Sequence, residues 1–101
     1  MKVITEIPTA WKDTSELFLA LGDEHRQRIL LAFEAGERLN ISQIVAASTL
    51  SRTAVTHHLN VLKQAKVLNH EKVGKEMRFW INQEMISEAL SRVQLYMQTQ
   101  T

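Results

Sequence analysis

Residues 51–64 read Ser-Arg-Thr-Ala-Val-Thr-His-His-Leu-Asn-Val-Leu-Lys-Gln, a run of hydrogen-bonding side chains without one carboxylate. Placed on a helix at about 100° per residue, Val55, Leu59 and Leu62 fall within about 60° of one another as an apolar stripe. Thr53, Thr56, His57, Asn60 and Gln64 gather on the opposite face. A solvated helix face of this length usually carries Glu or Asp somewhere. Hydroxyl, amide and imidazole groups without carboxylates suit a surface that meets phosphates and base edges. Arg52 stands in the first turn, where recognition helices make base contacts. A cation there opposes the helix dipole, so its presence calls for a functional reason. Ser42, Gln43, Ser51 and Lys63 extend the same candidate DNA-binding set.

The two adjacent histidines part company. His57 points to the polar face, whereas His58 lies about 60° off the apolar stripe and is expected to pack half-buried with a hydrogen-bond partner. Consecutive helical residues diverge by about 100°, which argues against joint metal chelation. Lys72, Lys75 and Arg78 surround Gly74 and are placed for phosphate contact. Enzyme chemistry finds no footing. The chain has no cysteine, no glycine-rich phosphate loop and no His–carboxylate grouping at a useful spacing. Trp11, Trp80 and Tyr96 are too scattered for a stacking platform, which argues against single-stranded nucleic acid.

The elements that would hold these residues follow from local signals. Asp13-Thr14-Ser15-Glu16 fits a capping box opening a helix that stops at Gly22. Asp23 caps a second helix that ends near Ala35-Gly36, and its apolar run Ile29–Phe33 suggests a central position. Ser42 caps a short third helix, Gln43–Ser48, and Ser51 caps a fourth reaching about Ala65. Two short helices across a tight turn outline a helix-turn-helix. Strands follow at 67–72 and 76–81, in which Met77, Phe79 and Ile81 alternate against Arg78 and Trp80; Gly74 makes the turn between them. A last helix spans 83–98. The expected fold is mainly α with a small β-hairpin: a winged helix-turn-helix of about five helices and a two-stranded wing, in one domain over residues 1–101.

Composition agrees with that scale. A chain of 101 residues holds one core, and its 45% hydrophobic and 23% charged residues are ordinary for a globular protein. The net charge of +1 divides unevenly: residues 1–37 carry −3, 38–81 carry +5 and 82–101 carry −1. A basic middle between acidic flanks suggests a local polyanion-binding surface. The longest apolar runs are five residues, Leu17–Leu21 and Ile29–Phe33, far short of the roughly 20 that span a bilayer. No signal-peptide pattern opens the chain, so a soluble, cytoplasmic protein with no membrane partner is expected.

On these residues the chain resembles the ArsR/SmtB winged-helix repressors. Ala20-Leu21-Gly22-Asp23-Glu24-His25-Arg26-Gln27-Arg28-Ile29-Leu30 is similar to that family's entry into its second helix. Ile41-Ser42-Gln43-Ile44 and Leu50–Leu59, with Leu62, resemble its helix-turn-helix, and Val73–Phe79 resembles its wing. The resemblance spans residues 15–98. It implies a homodimer joined by its first and last helices, two recognition helices in successive major grooves, a partly palindromic operator, and repression relieved by an effector. There are three departures from the family pattern. Lys66 stands where glycine is usual after the fourth helix, and Thr49 takes a turn position that is often glycine. The family's thiolate metal motif is absent from the third helix, and the last helix has Glu84 and Glu88 but no histidine.

The leading expectation is therefore a sequence-specific regulator of double-stranded DNA, a dimeric repressor. The alternative is a winged helix used for protein contact, since fold does not fix function. Ile86, Leu90, Val93 and Met97 form one stripe of the last helix, widened by Met85, Ala89 and Tyr96. With Trp11 and Phe18 they make the expected dimer interface. No cofactor and no metal site are expected, because soft metals need thiolates. The effector is then either a small organic molecule or absent.

Overall fold

The computed structural model describes residues 1–101. In order they form α1 (Thr9–Leu21), α2 (Glu24–Leu31), β1 (Leu39–Asn40), α3 (Ile41–Ala46), α4 (Arg52–Gln64), β2 (Leu68–Val73), β3 (Glu76–Ile81) and α5 (Gln83–Gln100). This is the winged helix-turn-helix with five helices, plus one strand beyond the expected two. The antiparallel sheet runs β1-β3-β2, pairing Leu39 with Phe79, Asn40 with Arg78, and Leu68–Val73 with Ile81–Glu76.

Several boundaries differ from expectation, each for a local reason. Helix α1 starts at Thr9 behind Pro8, so Asp13 lies within the helix and no capping box forms there. Trp11 meets Tyr96 of α5 edge-on at 5.8 Å, and Arg92 Nη1 donates to the buried Thr14 Oγ1 at 3.0 Å. Tertiary packing thus carries α1 past its internal cap signal. Helix α2 does begin at Asp23, whose carboxylate accepts from the His25 and Arg26 backbone N–H groups at 2.8 and 3.2 Å. It ends at Leu31, short of Ala35, and packs between α1 and α4. Ile29 alone is buried, at 3%, while Leu31 is 84% exposed. Leu30 and Phe33 pack partly buried against the core beside Ile29, and Leu31 alone of the run's large apolar residues turns outward.

Helix α3 is capped by Asn40 rather than Ser42. The Asn40 side chain accepts from Gln43 N, and Gln43 Oε1 accepts from Asn40 N, both at 2.8 Å, a complete capping box. Helix α4 starts as expected, with Ser51 Oγ accepting from Ala54 N at 3.1 Å. It closes with Val67 N donating to Leu62 O at 2.9 Å and Lys66 N to Lys63 O at 3.0 Å. That is the two-bond helix stop that needs a left-handed residue, and Lys66 supplies it at φ 62°. Asn82 secures the joint: its Nδ2 donates to Lys66 O at 2.9 Å, and its Oδ1 caps α5 at Met85 N. Gly74, at φ 63°, turns the wing.

The core gathers Leu17 and Ala20 of α1, Ile29, Ile44, Val55, Leu59 and Leu62 of α2–α4, Leu68 and Phe79 of the sheet, and Ala89 of α5. Each large member contributes about 1.5–3 kcal/mol of burial. Val55, Leu59 and Leu62 are the stripe expected for α4. Ala89 faces this core at 1% exposure, so it is no part of a dimer surface, and Met85 and Ile86 pack half-buried beside it.

Candidate nucleic-acid interface

Because α4 sends its apolar stripe into the core, the opposite face is left to solvent. Arg52, Thr53, His57, Asn60 and Gln64 are exposed there, with Thr56 and Lys63 half-buried. Ser51 is exposed at its N-terminus, and Ser42 and Gln43 are exposed on α3. Arg52 Nη1 donates to Ser42 Oγ at 3.1 Å, across the turn. This gives Ser42 a role other than the expected cap: it props the guanidinium that the helix dipole disfavours. Gln43 has its carbonyl oxygen committed to the capping box, which leaves its amide hydrogens free for a ligand.

The wing divides its cations. Side chains alternate along a strand, and cross-strand partners share a face. Arg78 opposes Asn40 and Glu71, whereas Lys72 opposes Met77 on the other side of the hairpin. Lys75 sits at the exposed tip. Asn40, Ser42, Arg52, Lys75 and Glu76 line one notch between the wing and α3. Two carboxylates of this region are paired: Glu71 with Arg38 at 3.2 Å, and Glu76 with Arg78 at 3.4 Å. Asn40 Nδ2 also donates to Glu76 Oε1. Arg38 lies over the Trp80 ring at 3.8 Å. Sequence reasoning passes over Asn40, Glu76 and Arg38, and weighs Trp80 only as a strand residue and a stacking residue. The Asn40-x-x-Gln43 spacing is a legible cap signal, but the pairings with β3 have none.

Behind α4, Arg26 joins three elements. Its Nε donates to Ala20 O at 2.6 Å at the end of α1, and its Nη1 meets His58 Nδ1 at 3.2 Å. Arginine has only donors, so that ring nitrogen accepts. His58 is thus the half-buried, hydrogen-bonded histidine expected. Burial presses its pKa below the ordinary value; Asp23 works against this, and Arg26, His57 and His25 add to it. Burial tends to raise the Asp23 carboxyl, but the Arg26 and His25 N–H groups and the nearby positive charge leave it lowered. His25 is less solitary than its sequence position suggests, with its ring 5.7 Å from that of His58. No His/Asp/Glu group of three or more is arranged to hold a metal ion.

A second surface lies on α1 and α5. Of the expected dimer residues, Phe18, Tyr96 and Met97 are exposed, and Trp11 and Val93 are half-buried. Leu90 is exposed too, and Leu19 and Leu95 add apolar area outside the Ile86–Met97 stripe. No helix is long and apolar enough to cross a membrane.

Residues 23–69 match the family described as bacterial regulatory protein, arsR family. The transcriptional repressor SdpR of Bacillus subtilis is 26% identical over 77 residues, 76% of this chain and 84% of its own length. An ArsR-like transcriptional regulator from Rhodococcus superimposes with a TM-score of 0.78 at 24% identity, covering 86% of this chain and 81% of that one. The homodimeric winged helix-turn-helix DNA-binding domain of Mb0332 from Mycobacterium bovis does so with 0.67 at 19% identity, covering 89% and 88%.

Proposed function

Since the chain is an ArsR/SmtB-family winged-helix transcriptional regulator, and so not an enzyme, we propose that it acts in the cytoplasm as a homodimeric repressor of a partly palindromic DNA operator. One observation carries this reading. The exposed face of α4 has no carboxylate and is flanked by Arg52, braced on Ser42, with Lys75 of the wing tip lining the same notch. Thr56, His57 and Asn60 read base edges in the major groove, with Arg52 and Thr53 entering at the N-terminal end of the helix. Ser42, Gln43, Ser51, Lys63, Lys72, Lys75 and Arg78 hold phosphates and set register. Residues 1–101 act as one domain, and its α1–α5 face pairs with a second copy. The relatives support both parts: SdpR is called a repressor, and the Mb0332 domain homodimeric. A two-fold dimer sets two recognition helices about one DNA turn apart, which imposes symmetry on the site. Selecting bound duplexes from a random library tests the reading. Enrichment of a site with two-fold symmetry is expected; recovery of unrelated sequences with no common motif would overturn it.

A further inference from the structure

Glu76 is out of place by charge. It begins β3 directly after the wing tip, in the notch shared by Asn40, Ser42, Arg52 and Lys75, where a free carboxylate would repel a phosphate backbone. Both of its oxygens are occupied. Oε1 accepts from Asn40 Nδ2, and Oε2 accepts from Arg78 Nη2 at 3.4 Å. The Asn40 hydrogen bond holds the Glu76 carboxyl below its ordinary pKa; partial burial opposes this and the Arg78 charge supports it. At neutral pH both contacts are charge-assisted.

Asn40 stands at a crossing. It ends β1, opposes Arg78 in the ladder, and caps α3 through Gln43 N. The ladder joining the helix-turn-helix to the wing is only the two residues Leu39 and Asn40 long. A hairpin hinged on so short a ladder would be free to tilt. The Asn40–Glu76 bond is a second fastening, set toward the wing tip.

We propose that Glu76 is a positioning residue for DNA recognition: it fixes the wing against the first helix of the helix-turn-helix through Asn40, and it pairs Arg78 so that the guanidinium meets phosphate only in the register the fixed wing sets. The proposal rests on the DNA-binding reading above. It makes Glu76 a determinant of specificity that touches no base.

Three substitutions separate its two arms. Asn40→Ser keeps a good N-cap but cannot reach Glu76. Glu76→Gln keeps an acceptor oxygen for Asn40 and takes the charge from Arg78, while Glu76→Ala removes both contacts. Each variant is measured on the duplex enriched by selection and on poly(dI-dC) at one salt concentration, with amide hydrogen exchange of residues 72–78 in the free protein. Asn40→Ser should exchange faster in the wing and bind the enriched duplex roughly tenfold more weakly, with poly(dI-dC) binding unchanged. Glu76→Gln should bind poly(dI-dC) severalfold more tightly and leave the enriched duplex nearly unaffected. Glu76→Ala should combine both effects. Wild-type wing exchange in Asn40→Ser would overturn the proposal without reference to DNA. Parallel losses on both DNAs in Glu76→Ala would overturn the specificity role. Should the wild type enrich no duplex, the DNA-binding reading falls, and the exchange measurement still decides the Asn40–Glu76 link by itself.

Discussion

Lys66 is the only non-glycine residue with positive φ, and it sits where α4 must stop and β2 begin. A left-handed conformation costs a side chain-bearing residue about 1 kcal/mol, which glycine avoids. Lys66→Gly should therefore raise the urea midpoint by the equivalent of about 0.5–1 kcal/mol, with an unchanged slope. A loss of stability would mean that the Lys66 side chain holds the joint, in addition to the Asn82 bond to its carbonyl. The proposed DNA-facing residues invite a different comparison. Thr56→Ala and His57→Ala should alter base preference, each good base contact contributing about 1–3 kcal/mol of discrimination. Lys72→Ala and Lys75→Ala should weaken all duplexes alike and lower the salt slope by about one for each phosphate no longer neutralised. Uniform losses from both sets would show that the reading face lies elsewhere.

At the level of elements, Arg26 ties the end of α1 to the start of α2 and to the back of α4. Its side chain is 13% exposed, and Arg26→Ala leaves carbonyls of α1 without their donor, a loss of about 2–3 kcal/mol. The same knot sets a pH dependence. The His58 pKa is lowered in the folded protein, so the unfolded chain takes up the proton more readily. Stability is full above about pH 6.5 and falls as pH drops through the folded value. His58→Gln should flatten that acid limb in a pH series of urea midpoints; identical limbs would remove His58 as its source. Some of these elements are legible in the sequence and others are hidden. Helix α4 and the hairpin are visible because an N-cap serine, an apolar stripe and a turn glycine all act locally. The first strand is invisible because two residues cannot show alternation, and Leu39–Asn40 become a strand only by pairing with β3. The start of α1 departs from expectation because a local capping signal at Asp13 loses to the packing of Trp11 on Tyr96. The reading face needs only helical periodicity. Its supports, Asn40–Glu76 and Arg26–His58, join residues 36 and 32 positions apart and leave no periodic trace.

On the scale of the whole molecule, the exposed apolar side chains of α1 and α5 form the surface proposed for pairing with a second copy. Phe18, Leu90 and Met97, on two helices packed together, are exposed apolar side chains of the kind a small monomer usually covers. Light scattering at micromolar concentration should give twice the mass of one chain, and Leu90→Glu or Met97→Glu should halve it. The charged variants should keep nonspecific DNA binding and lose affinity for a two-fold site, since only the dimer presents two helices together. A monomeric wild type would remove the two-half-site arrangement. The molecule has only two tryptophans. Trp11 rests against Tyr96 on the α1–α5 face, and Trp80 lies beneath Arg38 at the base of the wing. Each indole therefore borders one of the two proposed surfaces and samples a different local field. Without any attached dye, the Trp80→Phe protein should report the proposed subunit pairing and the Trp11→Phe protein the proposed contacts at the wing, so that assembly and ligation would separate into two optical channels by colour and intensity.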